Sequence, residues 1–310
     1  MMDEKPKRGQ TPDRNTSTLA VILIAVGVIF LLANAGILAG IGRLWPLILV
    51  GIGAWLLFGK TTPTLNVKRE RFTAPVDNAR AARVKLNFSV GETEVTSSAS
   101  PDLLIDANLV YMGDIQFVNR GEEEKFISLS QSGDFAVQWL NPANWFNAPK
   151  RLRWDVGLNP TVPMSLDVHG GLGEARLDLS RLNLTALDAT NGVGEMRMTL
   201  PVTAEPLQVR VQAGLGRVEL TVLDGAAVHA QIKGGVGECV VNVPPRAAVR
   251  VSGKAGIGDI NVGGRLQHVS GGQGEFALGK SGVWETPDFA QAERQIIIEF
   301  EGGVGELRVR

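Results

Sequence analysis

Acidic residues recur at one position of a repeated glycine-rich motif, and they are the first candidates for chemistry in this sequence. Six copies carry a carboxylate there and a seventh carries Arg217: the acids are Glu92, Glu174, Glu195, Glu238, Asp259 and Glu306. Carboxylates stacked on neighbouring strands would suit calcium, which prefers oxygen ligands. Calcium-binding β-rolls, however, place an Asp two residues after Gly-Gly-x-Gly at a nine-residue period, and this sequence has neither feature. We therefore predict solvent-facing acids, with no metal site and no cofactor.

The remaining reactive residue types also lack the spacing that catalysis needs. The Gly-x-Gly copies are followed by alternating strand residues, whereas a dinucleotide fingerprint needs a strand, a turn, a helix and a third glycine. His169, His229 and His268 are far apart and have no metal-ligand spacing. Cys239 occupies an inward position of its strand, which is typical of a small core residue. The sequence predicts no enzyme.

Composition excludes two further classes of protein. The formal net charge of −1 gives no electrostatic reason to expect a nucleic-acid partner. The single cysteine excludes an intramolecular disulfide framework and a cysteine-based zinc site.

An aromatic-rich stretch, WLNPANWFNAPKRLRW at 139–154, is the best candidate for an interaction surface. Exposed aromatic side chains are favoured at protein interfaces. Two interpretations stay open: the aromatics pack at a junction between two β modules, or they contact a partner or the bilayer together with the nearby basic residues. The candidate surface comprises Trp139, Trp145, Phe146 and Trp154.

The elements that position these residues are short strands in a regular repeat. The second glycine of the motif recurs every 21 or 22 residues from Gly173 to Gly258, and a last copy follows at Gly305. Such a period is typical of stacked repeats, in which no single repeat can bury its apolar face alone. The predicted structural corners are Gly173, Gly194, Gly216, Gly237, Gly258 and Gly305.

Each repeat alternates apolar and polar residues on both sides of the glycines. The inward set after the first corner is Ala175, Leu177 and Leu179, and the alternation shifts phase by one residue across the Gly-x-Gly. The chain must therefore bend there, which glycine tolerates. We expect the residue between the glycines to plug the edge of the core, and 295–310 to close the stack. The six residues between the glycines are Leu172, Val193, Leu215, Val236, Ile257 and Val304.

Two apolar runs near the N-terminus predict a transmembrane hairpin. Residues 18–40 contain no charge, and residues 44–59 form a second uncharged run that starts Leu-Trp-Pro. Lys and Arg flank the hairpin, and Arg43 alone lies between the runs, so the positive-inside rule places both flanks in the cytoplasm. We expect a multi-pass plasma-membrane protein with a cytoplasmic β domain. If the second run lay only in the membrane interface, the β domain would face outward.

The hairpin and the serial Gly-Val-Gly-Glu strands together resemble a known bacterial family. The hairpin resembles the membrane region of LiaI/LiaF-type proteins, and the repeat resembles the toast-rack, or adhesin-type, β domain that often accompanies it. The resemblance covers about residues 18–310 and implies a role in envelope-stress signalling, in which LiaF-like proteins restrain a membrane histidine kinase by direct contact. LiaF proper has four spans, whereas two are predicted here. The family offers no catalytic residues.

The sequence thus predicts a membrane-anchored all-β protein: a two-helix transmembrane hairpin followed by a stacked, solenoid-like β-repeat. The predicted parts are a disordered cytoplasmic tail at 1–17, the hairpin at 18–60, an N-terminal β module at 61–165 and the repeat domain at 166–310. The expected function is non-enzymatic sensing or regulation of envelope stress through protein–protein contacts. The expected partners are membrane lipid and a membrane protein such as a sensor kinase or transporter. A self-assembling scaffold and an outward-facing adhesin-like domain are the alternatives.

Overall fold

The computed structural model describes residues 67–97, 100–132, 152–271 and 279–310. The predicted tail at 1–17 and the predicted hairpin at 18–60 lie outside these residues. Along the described ranges, no helix has the length and apolar character needed to cross a bilayer. The chain separates into two units, Met1–Pro63 and Thr64–Arg310, and the fold described below is that of the second.

The described residues form 17 strands that belong to one hydrogen-bonded sheet. The first nine are β1 (Lys68–Pro75), β2 (Ala81–Ser97), β3 (Leu103–Tyr111), β4 (Asp114–Arg120), β5 (Glu124–Ser132), β6 (Arg153–Leu158), β7 (Met164–Asp178), β8 (Leu184–Thr199) and β9 (Leu207–Thr221). The last eight are β10 (Val228–Lys233), β11 (Val236–Asn242), β12 (Ala248–Lys254), β13 (Ile257–Val262), β14 (Gln267–Ser270), β15 (Ser281–Glu285), β16 (Gln295–Glu301) and β17 (Val304–Val309). A 3-10 turn at Phe289–Gln291 precedes β16.

Each repeat crosses a glycine corner and so contributes to two arms of the sheet. In β7, β8 and β9 the chain stays hydrogen-bonded through the corner, whereas in later repeats the corner separates two short strands, such as β10 and β11. We call the part before the corner the first arm and the part after it the second arm. The arms share one core, because inward side chains from both belong to the same buried cluster.

Neighbouring repeats pair in parallel and in register, which aligns the corners in a column. Gly173 lies opposite Gly194, Gly194 opposite Gly216, and Gly216 opposite Gly237. The inward alternation predicted from the sequence is confirmed: Leu177 and Met198, for example, are 2% and 1% exposed. Parallel pairing in register stacks identical parities, so the inward sets of successive repeats form continuous apolar rows.

The C-terminal repeat does not close the stack, and that prediction was wrong. β16 pairs with both β10 and β12, and β17 pairs with both β11 and β13. The last strand pair of the chain is therefore inserted between two repeats that are consecutive in sequence. Every repeat presents the same corner register, so spatial neighbours are interchangeable, and chain order alone does not fix stacking order.

The two β modules predicted on either side of residue 165 form one continuous sheet. The boundary falls inside β7, and β2 pairs with β7 from Ala82 opposite Met164 to Val95 opposite Leu177. The echo of the motif at 89–95 is thus a full member of the stack, with Gly91 facing Gly173. Both predicted modules therefore share the corner geometry.

Candidate interaction surface

The glycine corners can be built by no other residue. Gly216 has φ +127, and a Cβ there would lie 2.1 Å from the carbonyl oxygen of Gly194. Gly237 has φ +138, and its Cβ would lie 1.8 Å from the carbonyl oxygen of Gly216. An L side chain is strained at positive φ, and backbone of the neighbouring repeat occupies its space. Glycine therefore lets successive corners stack backbone on backbone. Positive φ is shared by Gly173, Gly194, Gly216, Gly237, Gly258 and Gly305.

The apolar residues between the corner glycines face solvent and do not plug the core. That expectation was wrong, because these side chains sit at the convex apex of the bend, where neither arm covers them. Their exposed fractions run from 38% to 51%, against 6% or less for their inward neighbours such as Ala175 and Val218. We call these residues the apolar ridge; in spatial order they are Leu172, Val193, Leu215, Val236, Val304 and Ile257.

The ridge is a single row of side chains, one residue wide. Each of its members is the register partner of the next, and parallel strands lie about 4.8 Å apart, so six members span about 24 Å. At the N-terminal end of the column the equivalent residue, Val90, is only 6% exposed. There Leu152 packs over the corner and its carbonyl accepts a hydrogen bond from the Glu92 amide at 3.0 Å. The ridge therefore has a defined beginning.

The predicted row of acids lies beside the ridge on the outer face of the second arm, and arginines neutralise it. Arg217 stands between Glu195 and Glu238 in register and lies 3.8 Å and 3.2 Å from their carboxylates. Arg308 lies 2.7 Å from Glu238 and 2.8 Å from Glu306. Side chains at these positions are partly solvated, so each pair stabilises the fold by at most about 1 kcal/mol. The flank of the ridge thus carries little net charge.

Another carboxylate on this outer face, Glu219, accepts a hydrogen bond in addition to its ion pairs with arginines. The amide of Asn242 donates to Glu219 at 2.8 Å, and this hydrogen bond is the main cause that lowers the pKa of the Glu219 carboxyl. Nearby Arg217, Arg310 and Arg197 lower the pKa further. Among the described residues, no group of three or more His, Cys, Asp or Glu is arranged to hold a metal ion.

The aromatic surface predicted from the sequence is only partly described. Trp139, Trp145 and Phe146 lie outside the described residues. Trp154 is 1% exposed, and its ring lies 6.0 Å from that of Phe88, so including it in a surface was wrong. Its position on β6 has inward parity, like Val156 and Leu158, and this alternation was readable in the sequence.

The histidines and the cysteine are not members of the ridge. His169 contacts Asp167 at 2.8 Å and His229 contacts Glu299 at 3.0 Å, both on the outer face of the first arm. His268 packs its ring against Trp284 at 5.6 Å. Cys239 lies in the core, and burial raises the pKa of its thiol to about 11, which disfavours the reactive thiolate.

Two families match this chain, in adjacent regions. The N-terminal domain of toast_rack, DUF2154, matches residues 63–221, and the LiaI-LiaF-like transmembrane region matches residues 17–57. No curated protein matches the chain.

Solved structures that are similar to this chain include proteins described as candidate adhesins. A candidate cell adhesion protein from Clostridium sporogenes is 22% identical, covers 79% of this chain and 99% of its own, and superposes with a TM-score of 0.52. A candidate adhesin from Bacteroides fragilis is 12% identical over 78% of this chain and 97% of its own, with a TM-score of 0.29. The likeness to the Clostridium protein shows the fold. With a corner column, a matched toast-rack domain and an adjoining LiaI-LiaF-like membrane region, the chain belongs to the toast-rack family of membrane-anchored envelope proteins.

Proposed function

We propose that this protein senses or regulates envelope stress by docking its apolar ridge onto a protein in the same membrane, such as a sensor kinase or a transporter. The observation that carries the proposal is the ridge itself. Six aliphatic side chains stay 38–51% exposed although the same fold buries its other aliphatic rows almost completely. A contiguous exposed apolar patch on a soluble domain is typical of an interaction site.

The size of the ridge favours a reversible contact. Six half-exposed aliphatic side chains offer on the order of 400 Å² of apolar surface, which is less than the roughly 800 Å² per partner in a stable complex. A permanent dimer would need more area, whereas a regulatory contact that forms and dissociates does not. The ridge also cannot collapse on dissociation, because the stacked glycine corners fix the backbone on which it stands.

The electrostatics of the flank favour an apolar partner segment. The acids beside the ridge pair with arginines of the same face, including Arg197 2.6 Å from Glu195 and Arg176 2.6 Å from Glu174. No unbalanced row of charge is left there to select a strongly basic or acidic ligand. An apolar segment of a membrane protein, presented where it leaves the bilayer, has the matching chemistry.

The position of the membrane region supports a partner in the same bilayer. The matched transmembrane region ends at residue 57 and β1 begins at Lys68 of the same chain, so the β domain is tethered to the membrane that would hold the partner. Basic residues flank the hairpin on both sides, which supports a cytoplasmic β domain through the positive-inside rule. In this proposal the domain acts by contact and without catalysis.

Site-specific photo-cross-linking in membranes tests the proposal. A photoreactive amino acid replaces Leu215 or Val236 in the full chain, and Val202, which is 49% exposed on a loop away from the ridge, serves as the control position. We expect both ridge positions to cross-link to one integral membrane protein that Val202 does not capture. We also expect polar ridge substitutions to change the output of an envelope-stress reporter. Equal cross-linking at all three positions, or a reporter that ignores ridge substitutions, would overturn the proposal.

A further inference from the structure

Among the described residues, β13 is the last strand of the second arm, and the outward backbone groups at its centre are already occupied. Within the described residues its ladder partner is β17. The amides of Ile257 and Gly263 donate to carbonyls of Gly303 and Val309 at 2.9 Å and 3.0 Å. Backbone groups alternate in direction along a parallel strand, so those of Ile260 point to the outer edge.

Two side chains form hydrogen bonds with the backbone amide and carbonyl of Ile260 at that edge. Oδ1 of Asp259 accepts a hydrogen bond from the Ile260 amide at 2.8 Å, and Nζ of Lys280 donates to the Ile260 carbonyl at 2.7 Å. The two side chains also pair with each other, with Nζ of Lys280 3.3 Å from Oδ1 of Asp259. Two residues before Ile260, Gly258 forms a bridge with Gly279 of the same passing segment. The amide and the carbonyl of Ile260, which a new strand would use at the centre of this edge, are thus both taken.

We propose that Asp259 and Lys280 form an edge block that prevents a second copy of this chain from adding its strands to β13. The need for a block follows from the repeat. Every repeat offers the same corner register, as Gly258 opposite Gly305 illustrates, so an open last repeat would accept a repeat of another copy equally well. Unprotected strand edges favour such pairing.

Two other ends of the sheet, at β1 and β14, are protected by different means, which supports a wider requirement. β1 carries Lys68, Arg69 and Arg71 and ends at Pro75, and both charge and proline discourage strand addition. Across the same end, the rings of Phe72 on β1 and Phe117 on β4 lie 5.5 Å apart and link the two arms.

On the first arm, the last repeat is covered. β15 pairs antiparallel with β12, and the four-residue β14 beyond it has a register shift between His268 and Ser270. Short and irregular edge strands are poor templates for another chain. Among the described sheet ends, β13 is the one whose parallel register matches the repeats, and it is the one that carries the Asp259–Lys280 block.

This inference is independent of the ridge and goes beyond the proposed regulatory function. It argues against a self-assembling scaffold built by end-to-end stacking. Such a scaffold would need the free edge of β13, and Asp259 and Lys280 occupy backbone groups at that edge. The ridge could bind a membrane partner whether or not β13 is blocked.

Removing the block in the full chain tests the inference. The variants are Lys280→Ala and Lys280→Ala with Asp259→Ala, studied in detergent by sedimentation velocity over a range of concentrations. We expect the unaltered chain to sediment as a single copy and the double variant to form dimers or larger species. Lys233→Ala, which removes an exposed lysine from β10, is the matched control and should stay single. Circular dichroism establishes that each variant is folded, and the single variant replaces the double one if the latter unfolds.

A cross-link identifies the surface involved. Asn261→Cys places a thiol on the exposed part of β13, and the native Cys239 is buried, so a bismaleimide reports mainly on this edge. We expect the cross-linked dimer to increase at least about fivefold when the block is removed. Single-copy behaviour of the folded double variant would overturn the inference. So would assembly without an Asn261→Cys cross-link, or assembly of the unaltered chain through β13.

Discussion

Gly305 lies directly opposite Gly237 in the parallel pair β11–β17, although the whole of β12–β15 separates them in sequence. The inserted strand pair β16–β17 also contributes a residue to the apolar ridge. Val304, the fifth of the six ridge residues, lies between Val236 and Ile257. The apolar ridge is therefore continuous only because β16 and β17 are inserted at this place.

Ending the chain at Arg294 should therefore unfold the β12–β13 repeat. The deletion removes five core side chains, each of which stabilises the fold by about 1.5–3 kcal/mol when buried, and their sum approaches the whole stability of a typical domain. These residues are Ile296, Ile298, Phe300, Leu307 and Val309. Hydrogen exchange should show amides 248–254 losing protection. Full protection of these amides in the shortened chain would mean that the insertion is dispensable.

Gly216→Ala should destabilise the stack by more than about 3 kcal/mol, because the new Cβ meets the Gly194 carbonyl oxygen and the backbone is held at φ +127. Urea unfolding of the full chain in detergent measures the change. Gly264→Ala is the control, since nothing lies within 4 Å of a Cβ built there, and it should change the free energy of unfolding by less than about 0.5 kcal/mol. Equal effects of the two substitutions would refute the corner geometry.

Much of the stack was predictable from the sequence, for a physical reason. A strand alternates with period two, so the phase shift across each Gly-x-Gly identified both the inward residues, such as Met198, and the need for a bend. The order of repeats was not predictable. Identical corner registers make any two repeats compatible neighbours, and the insertion of β16–β17 between β10–β11 and β12–β13 leaves no mark in the alternation.

Leu215→Ala and Leu220→Ala should separate surface from core on a single strand. Leu215 is 50% exposed on the ridge, so its truncation should change the free energy of unfolding by less than about 0.5 kcal/mol. Leu220 is 1% exposed, and its truncation should cost about 2–5 kcal/mol. Urea midpoints of the two variants, measured side by side, test both predicted changes in the free energy of unfolding. A large cost at Leu215 would place that residue in the core after all.

Stability should fall in acid partly through Glu219. Its folded-state pKa is lowered, first by the Asn242 hydrogen bond, so the stabilisation is complete above its unfolded pKa near 4.5 and is lost as pH falls through the folded value. Glu219→Gln should therefore flatten the stability profile below about pH 5. Thermal melts between pH 3 and pH 7 test this, with the exposed Glu205→Gln as control. An unchanged acid slope would show that folding does not lower the pKa of Glu219.

The ridge illustrates why the candidate surface was harder to predict than the fold. Parity in the first arm assigns Leu172 to the inward row, together with Leu166 and Val168. The corner rotates the chain at that residue, and the convex side of a bend faces solvent. The alternation of side chains tells inward from outward residues within a straight strand, but it does not do so at the glycine corner. The aromatic stretch drew attention by composition, yet Trp154 packs inside.

The most direct test of the proposed function is the amount of membrane partner that remains bound when the ridge is made polar. The full chain with Val193→Ser, Leu215→Ser and Val236→Ser is compared with the unaltered chain by quantitative co-purification of the protein that cross-links at Leu215. We predict at least a tenfold loss of that partner, with an unfolding midpoint that stays the same because all three side chains are 43–50% exposed. Undiminished recovery of the partner by the folded triple variant would contradict the account.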